Sequence, residues 1–508
     1  MKKLITILMF FLSLTSCRLA GKDTYFLTTE STPKVHYSSI DHNVGAPSSF
    51  VLQNGIYSVF YQDFHLDKNK KNTIYKTTST DLIHWGKSEK VIFSNKALPV
   101  LYANVVIDTQ NTIGLITKAI SPLVALILTE QKRISTGFQL YYSANQGKTW
   151  KYISKIDFPG VLTPDSKPAI IWNSYTRKWT MTLVENQSIK IYSSTDFRKW
   201  EFESTFEKDA QYRDNIWLKA TLFPVNDGAN WVLLIDQEFP NPRDGSSIQY
   251  LIGYFDGKSF NTKITAKSQW FDYGKDNIYN VVCSGLPENA QSTVIGLKNN
   301  IDYALIGSMK PYWGSFTFPR TLHTDKYSGE DILASEPIQV IEKVKTKSQT
   351  LNNLNVNETV DISHVITIPL TPSFIVLKFD TKQMTRMTFP SRFGIQFEND
   401  IAEKLIVGYD AFKGEYFVDR NNFSIAKDNS QFRGIDIISS FHSDSELVLK
   451  MIMDNSSIEL FVENEKQVLT ENYFTEHKLT KVKLFAENGI IKTKELTISN
   501  LNPIQESY

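Results

Sequence analysis

Helical periodicity is nearly absent from this chain. Short runs rich in Val, Ile, Tyr, Phe and Thr alternate with Asn, Asp, Gly and Ser turns from one end to the other, a texture that sheets satisfy and helices do not. Within the first two thirds one local pattern returns. It reads Ser79-Thr80-Asp81-Leu82-Ile83-His84-Trp85, then SANQGKTW from Ser143 to Trp150, then Ser194-Thr195-Asp196-Phe197-Arg198-Lys199-Trp200, and more weakly Tyr254 to Phe260. The closing aromatics Trp85, Trp150, Trp200 and Phe260 lie 65, 50 and 60 residues apart. Each copy reads as the end of a strand, an Asp or Asn turn, and an aromatic that opens the next strand. Recurrence at this period predicts one small sheet per repeat, arranged radially as propeller blades. The Asp and Trp residues of the copies are read as hairpin turns and core plugs.

Near residue 345 the texture changes. The stretch KVKTKSQTLNNLNVN is polar and lacks aromatics, so residues 346–357 read as a linker between a propeller at 17–345 and a second unit at 358–508. That second unit alternates again, as in Phe393-Gly394-Ile395-Gln396-Phe397, with the length and pattern of a β-sandwich. The expected fold class is all-β, a five-bladed β-propeller followed by a β-sandwich.

The first residues are of another kind. Lys2 and Lys3 precede an apolar run, LITILMFFLS, too short to span a bilayer, and then comes Leu14-Thr15-Ser16-Cys17. This resembles a bacterial lipobox and implies a signal peptide at 1–16, cleavage before Cys17 and lipidation of its thiol and new amino group. With Cys17 lipidated, Cys283 has no intrachain partner, so the fold rests on packing. A net charge of +1 in 508 residues offers no electrostatic case for a nucleic-acid partner.

Several segments, in order and spanning nearly the whole mature chain, are similar to signatures of glycoside hydrolase family 32, the levanases, inulinases and invertases. They include Asn54-Gly55-Ile56-Tyr57-Ser58-Val59-Phe60-Tyr61-Gln62, the Thr78 to Trp85 stretch, QYLIGYFDG at Gln249 to Gly257, Trp270 to Asp276, and Trp313-Gly314-Ser315-Phe316-Thr317-Phe318-Pro319-Arg320. In the second unit they include Tyr416-Phe417-Val418-Asp419-Arg420 and Asp454 to Val462. The resemblance implies the propeller and sandwich expected above, and neither a cofactor nor a metal.

A retaining glycosidase needs a nucleophilic carboxylate and a carboxylic acid/base about 5 Å apart. Counting from Gln62, the family's nucleophile motif falls on Gly45-Ala46-Pro47-Ser48-Ser49, which puts a methyl group, Ala46, where an ester would form. Counting from Trp172, the family's second motif falls on Ser166-Lys167-Pro168, so Lys167 replaces an acceptor carboxylate. The acid/base motif falls on Trp217-Leu218-Lys219-Ala220-Thr221-Leu222-Phe223, and Leu218 exchanges no proton. Nearby acids offer a fallback. Asp165 needs a two-residue shift, which keeps the strand face; Asp41 needs five and Asp214 four. Gln62, Trp217, Asp276 and Tyr279 keep family positions, and Tyr312 stands where the family has a pocket Trp. Together with Lys167 these are the candidate sugar contacts, with Asp276 and Tyr279 leaning towards structural roles.

The expected function is therefore a non-catalytic fructan-binding lipoprotein, for levan or inulin. It is anchored at Cys17 on the bacterial outer membrane, with the cell surface as its place, and serves a fructanase and a glycan transporter. Two alternatives stand beside it: a hydrolase with relocated carboxylates, and a structural subunit that binds no sugar.

Overall fold

Each blade is built by a chain that turns back on itself wherever an Asx residue can cap the turn. In the first copy of the repeat, Asp81 Oδ1 accepts the amides of Ile83 and His84 at 3.0 and 2.8 Å. Asn145 accepts that of Thr149 at 2.9 Å, Asp196 that of Arg198 at 2.9 Å, and Asp256 those of Lys258 and Ser259 at 2.8 and 2.7 Å. The closing rings Trp85, Trp150, Trp200 and Phe260 are all buried. The indole N–H groups of Trp150 and Trp200 donate back to the carbonyls of Gly147 and Phe197. These residues are turn caps and plugs between blades, as their spacing predicts.

The computed structural model describes residues 32–503 except 40, 64–72, 94–99, 116–119, 132–133, 157, 209–214, 239–245, 263–268, 288, 301–313, 328, 383–387 and 442–444. Cys17, Asp214 and Tyr312 lie outside the described residues. Among those described, five antiparallel sheets form the propeller. Their first strands are Val44–Gln53, Val100–Ile107, Ala169–Asn173, Ile216–Val225 and Asn277–Ser284, and the main strands of each blade follow outwards in chain order, with the short strands Trp270–Asp272 and Ser315–Phe316 pairing beside that path. The ring closes where Val44–Gln53 runs parallel to Asn277–Ser284, pairing Phe50 with Cys283 and Val51 with Ser284. Apolar clusters fill the spaces between blades, such as Trp179, Met181, Phe197 and Trp200 with Leu126 and Leu140.

The second unit is a β-sandwich whose two sheets share one long strand, Lys481–Leu501. Its first half pairs with Arg392–Glu398 and its second with Ser373–Asp380. Phe379, Phe393, Phe397, Leu449, Leu460 and Leu484 belong to the core between the sheets. The expectation of a linker at 346–357 is corrected here. Lys345–Asp361 is a single strand that pairs with Lys481–Leu501 along most of its length. It pairs on one side only and is mostly exposed, so its polar composition reflects an edge position, where charges and Asn keep another strand from docking.

Propeller and sandwich meet through buried ion pairs. Arg320 reaches Glu459 at 2.6 Å and Asp272 at 3.0 Å; Arg420 reaches Asp276 at 2.9 Å and Glu471 at 2.7 Å. His36 bridges Asp454 and Glu459 at 2.8 and 3.0 Å. The motifs that carry the family resemblance in the second unit are thus the ones that dock it.

Candidate functional site

The first strands of the blades run side by side around the axis, so their N-terminal ends converge on one mouth of the central channel. Four of the five are bulged there. Val44–Gln53 slips register between Val44 and Pro47, which leaves Gly45 and Ala46 out of the ladder. Val100–Ile107 slips at Leu101, Ile216–Val225 at Leu218, and Asn277–Ser284 at Tyr279 and Asn280. The fifth, Ala169–Asn173, starts directly after Lys167-Pro168. An extra residue bends a strand and re-aims its side chain, and such bulges collect beside functional sites. Tyr279 has a φ of 57°, a left-handed backbone that a bulky residue adopts only when its surroundings impose it. Its amide is held by Asp236 Oδ1 at 2.7 Å.

Ala46, Lys167 and Leu218 therefore surround one opening from three different blades. Ala46 and Leu218 are half-buried, and Leu218 packs on the cluster containing Phe50, Tyr61 and Ile278. Lys167 lies with its Nζ 5.3 Å from the centre of the Tyr279 ring and donates to the Asp165 carbonyl at 3.2 Å. Burial lowers its pKa, opposed by the charges of Asp165, Glu238 and Asp236. Burial and the same three carboxylates push the Tyr279 hydroxyl up. Gln62 donates its side-chain amide to the Leu101 carbonyl at this mouth.

One step down the channel, Lys219 and Asp236 are cross-strand neighbours, and both are buried. Lys219 Nζ donates to the Asn280 carbonyl at 2.6 Å. Burial lowers its pKa to about 8 despite Asp236, and burial raises that of Asp236 to about 6 despite Lys219 and the amides of Tyr279 and Asn280. The opening thus carries a linked set of charges, Lys167, Lys219, Asp165, Asp236 and Glu238, around Tyr279. Of these, Lys219, Asp236 and Glu238 were not anticipated as site residues. The signal for two of them was there to read: a lone Lys within IWLKATLF and a lone Asp within NWVLLIDQ are charges in otherwise apolar strands.

Three expected site residues lie elsewhere. Trp217 is buried between blades, stacked on Phe206, with Lys208 Nζ 5.0 Å from its ring centre, so it packs the core. Asp276 is buried against Arg420 and the Asn472 amide at the sandwich interface, which makes it a docking residue rather than a sugar contact. Asp41 is exposed and pairs with Lys87 at 3.0 Å on the surface. Asp165 is exposed and does stand at the mouth, beside Lys167.

Comparison with known proteins places this architecture. Residues 36–337 match the glycosyl hydrolases family 32 N-terminal domain, and residues 339–502 match the glycosyl hydrolases family 32 C terminal domain. A levanase of Bacillus subtilis (strain 168) is 25% identical across 99% of this chain and 75% of its own length. A levanbiose-producing levanase of the same organism is 25% identical across 93% of this chain and 91% of its own. An exo-inulinase from Aspergillus awamori superposes with a TM-score of 0.80 at 20% identity, over 94% of this chain and 99% of that one. With both domains matched in order and the same architecture in a solved relative, this chain belongs to glycosyl hydrolase family 32.

Proposed function

We propose that this chain is a fructan-binding member of family 32 that does not hydrolyse its ligand. The observation that carries this reading is the mouth itself: bulges present Ala46 and Leu218 there, and Lys167 stands directly before the strand Ala169–Asn173. A methyl group forms no glycosyl ester and an isobutyl group protonates no leaving oxygen. The Lys167 ammonium sits where an oxocarbenium-like transition state needs negative charge. The same opening suits capture, since Gln62, Lys167, Tyr279 and Asp165 offer donors, acceptors and a ring to hydroxylated furanose units. The relatives that act on levan and inulin support fructan as the ligand class. The lipobox-like Leu14-Thr15-Ser16-Cys17 supports a lipid anchor on the outer membrane, beside a fructanase and a transporter.

A second reading keeps one observation on its side: Asp165 and Glu238 both act on Lys167 and Tyr279, so two carboxylates flank the opening. Asp236 is a weaker candidate, because a buried carboxylate held by backbone amides meets no substrate. One experiment separates the readings. Purified mature chain is incubated with levan, inulin and sucrose, with binding followed by calorimetry and products by chromatography. Binding without product is expected. Sustained fructose release that Asp165→Asn or Glu238→Gln abolishes would establish the hydrolase, and neither binding nor product would leave a scaffold subunit.

A further inference from the structure

The channel has a second end. The C-terminal ends of Ala169–Asn173, Ile216–Val225 and Asn277–Ser284, with the turns that follow them, enclose a cavity of about 840 Å³ on the face opposite the Ala46–Lys167–Leu218 mouth. Between the two ends the channel narrows to a void of about 40 Å³ lined by Ser48, Asn104, Lys219 and Thr221, too small to pass a sugar. The two openings are therefore separate places.

We propose that this second opening is a binding site for a neutral oligosaccharide. Its volume falls in the range of roughly 300–1,000 Å³ typical of ligand clefts. Its walls carry rings at the surface: Tyr175 is 82% exposed and Tyr254 is 60% exposed, and half-buried Trp172 sits between them and the core, edge-on to Trp179 at 5.1 Å. Exposed rings that converge on a cavity are platforms for the C–H faces of a sugar, which gains apolar contact while its hydroxyls stay wetted. Among the described residues the polar lining is hydrogen-bonding rather than acidic. No Asp or Glu is among the described lining residues, and the one cation is Arg177, which makes no ion pair among the described residues. A planar guanidinium next to rings suits a pair of vicinal hydroxyls. Asn173 is fully buried beneath this lining. Its carboxamide oxygen is taken by the amides of Tyr175 and Thr176 at 3.0 and 3.2 Å, and its Nδ2 has no acceptor among the described residues. An unspent buried donor is a cost that a ligand or ordered water repays.

The local backbone supports a built feature. Arg177 has a φ of 54° and closes the hairpin that presents Tyr175. Thr176 of that hairpin abuts Gly257, whose φ of 94° and lack of Cβ let the blade-four turn press against it. The two rings are thus carried on hairpins locked to one another. This site stands whether or not the other mouth binds fructan.

The test uses the mature chain with fructo-oligosaccharides from levan and inulin on one arm and gluco- and galacto-oligosaccharides on the other, which separates furanose from pyranose ligands. Trp172, Trp179 and Trp231 line the cavity, so tryptophan fluorescence reports occupancy. At least one arm should give saturable quenching and calorimetric binding. Tyr175→Ala/Tyr254→Ala should weaken it tenfold or more without lowering the melting temperature, because both side chains are exposed. If that variant does melt earlier, hydrogen exchange on the wild type decides, with ligand-dependent protection expected in residues 172–178. No binding on either arm overturns the proposal. So does binding that survives Tyr175→Ala/Tyr254→Ala and is lost in Lys167→Ala, which puts the sugar at the other mouth.

Discussion

Lys219 and Asp236 share a buried channel wall, and each charge supports the other against the cost of burial. An unfolded Asp ionises near pH 4, whereas Asp236 in the fold ionises at about 6. Between those values the folded chain binds the proton more tightly, so this residue makes stability fall as pH rises from about 4 to about 6, by on the order of 2–3 kcal/mol. Lys219 behaves as its mirror. Its folded pKa of about 8 lies below the ordinary 10.5, so stability is regained as pH climbs from about 8 towards 10.5. Compared with Asp236→Asn, the unfolding free energy of the wild type from urea titrations should fall by that amount between pH 4 and 6. The alkaline gain should begin at lower pH, because Lys219 loses the negative charge that supports its ammonium. A difference that stays flat across pH 4–6 would mean that Asp236 is ionised at ordinary pH and the channel is wetter than its burial implies.

At the scale of elements, the bulges matter more than the residues they carry. A bulge is set by hydrogen-bond register, so the ends of Val44–Gln53 and Ile216–Val225 should present whatever side chain stands at 46 or 218. Groups that act as a catalytic unit are strongly non-additive, and one loss already costs on the order of 10⁴- to 10⁶-fold. Leu218→Glu alone should therefore release no fructose from levan. Ala46→Asp, Lys167→Asp and Leu218→Glu together should release a trace above wild type in a long incubation followed by chromatography. A single substitution that matched the triple would show that the remaining machinery is already in place. The repeat turns at Asp81, Asn145, Asp196 and Asp256 were legible in the sequence because an Asx turn is satisfied within three or four residues. The strand Lys345–Asp361 was not, because an exposed edge strand and a linker share one composition. Asp276 stood among the candidate contacts with a leaning towards a structural role, but its partner Arg420, 144 residues away, lies beyond any local pattern. The Lys219–Asp236 pairing depended on a register that slips at Leu218. The family motifs located the mouth, but nothing local distinguished Trp217, a core plug, from a ring offered to sugar.

Across the whole molecule, the propeller and sandwich are joined by charges that only the docked state can keep. Burial would raise the pKa of Asp454 and Glu459, yet His36 and Lys298 hold Asp454 at about 2, and Arg320 and His36 hold Glu459 at about 2. Carboxyls depressed in this way contribute stability that is fully present above the unfolded values near 4 and is lost as pH falls towards 2. The interface should therefore fail before either core does on acidification, since the cores rest on apolar packing that does not titrate. Calorimetry should give one cooperative transition at pH 7, separating into two as the pH drops through about 4 to 2.5. Arg320→Met should bring that separation to neutral pH. It leaves Asp272 buried without its cation and Glu459 with His36 alone, a loss on the order of 3–5 kcal/mol, larger than most single substitutions. His36→Gln should act in the same direction and less strongly, since Arg320 still faces Glu459. A single transition retained by Arg320→Met at pH 7 would mean that the apolar contact of Phe461 and Val468 with the propeller cluster holds the two domains together without the ion pairs.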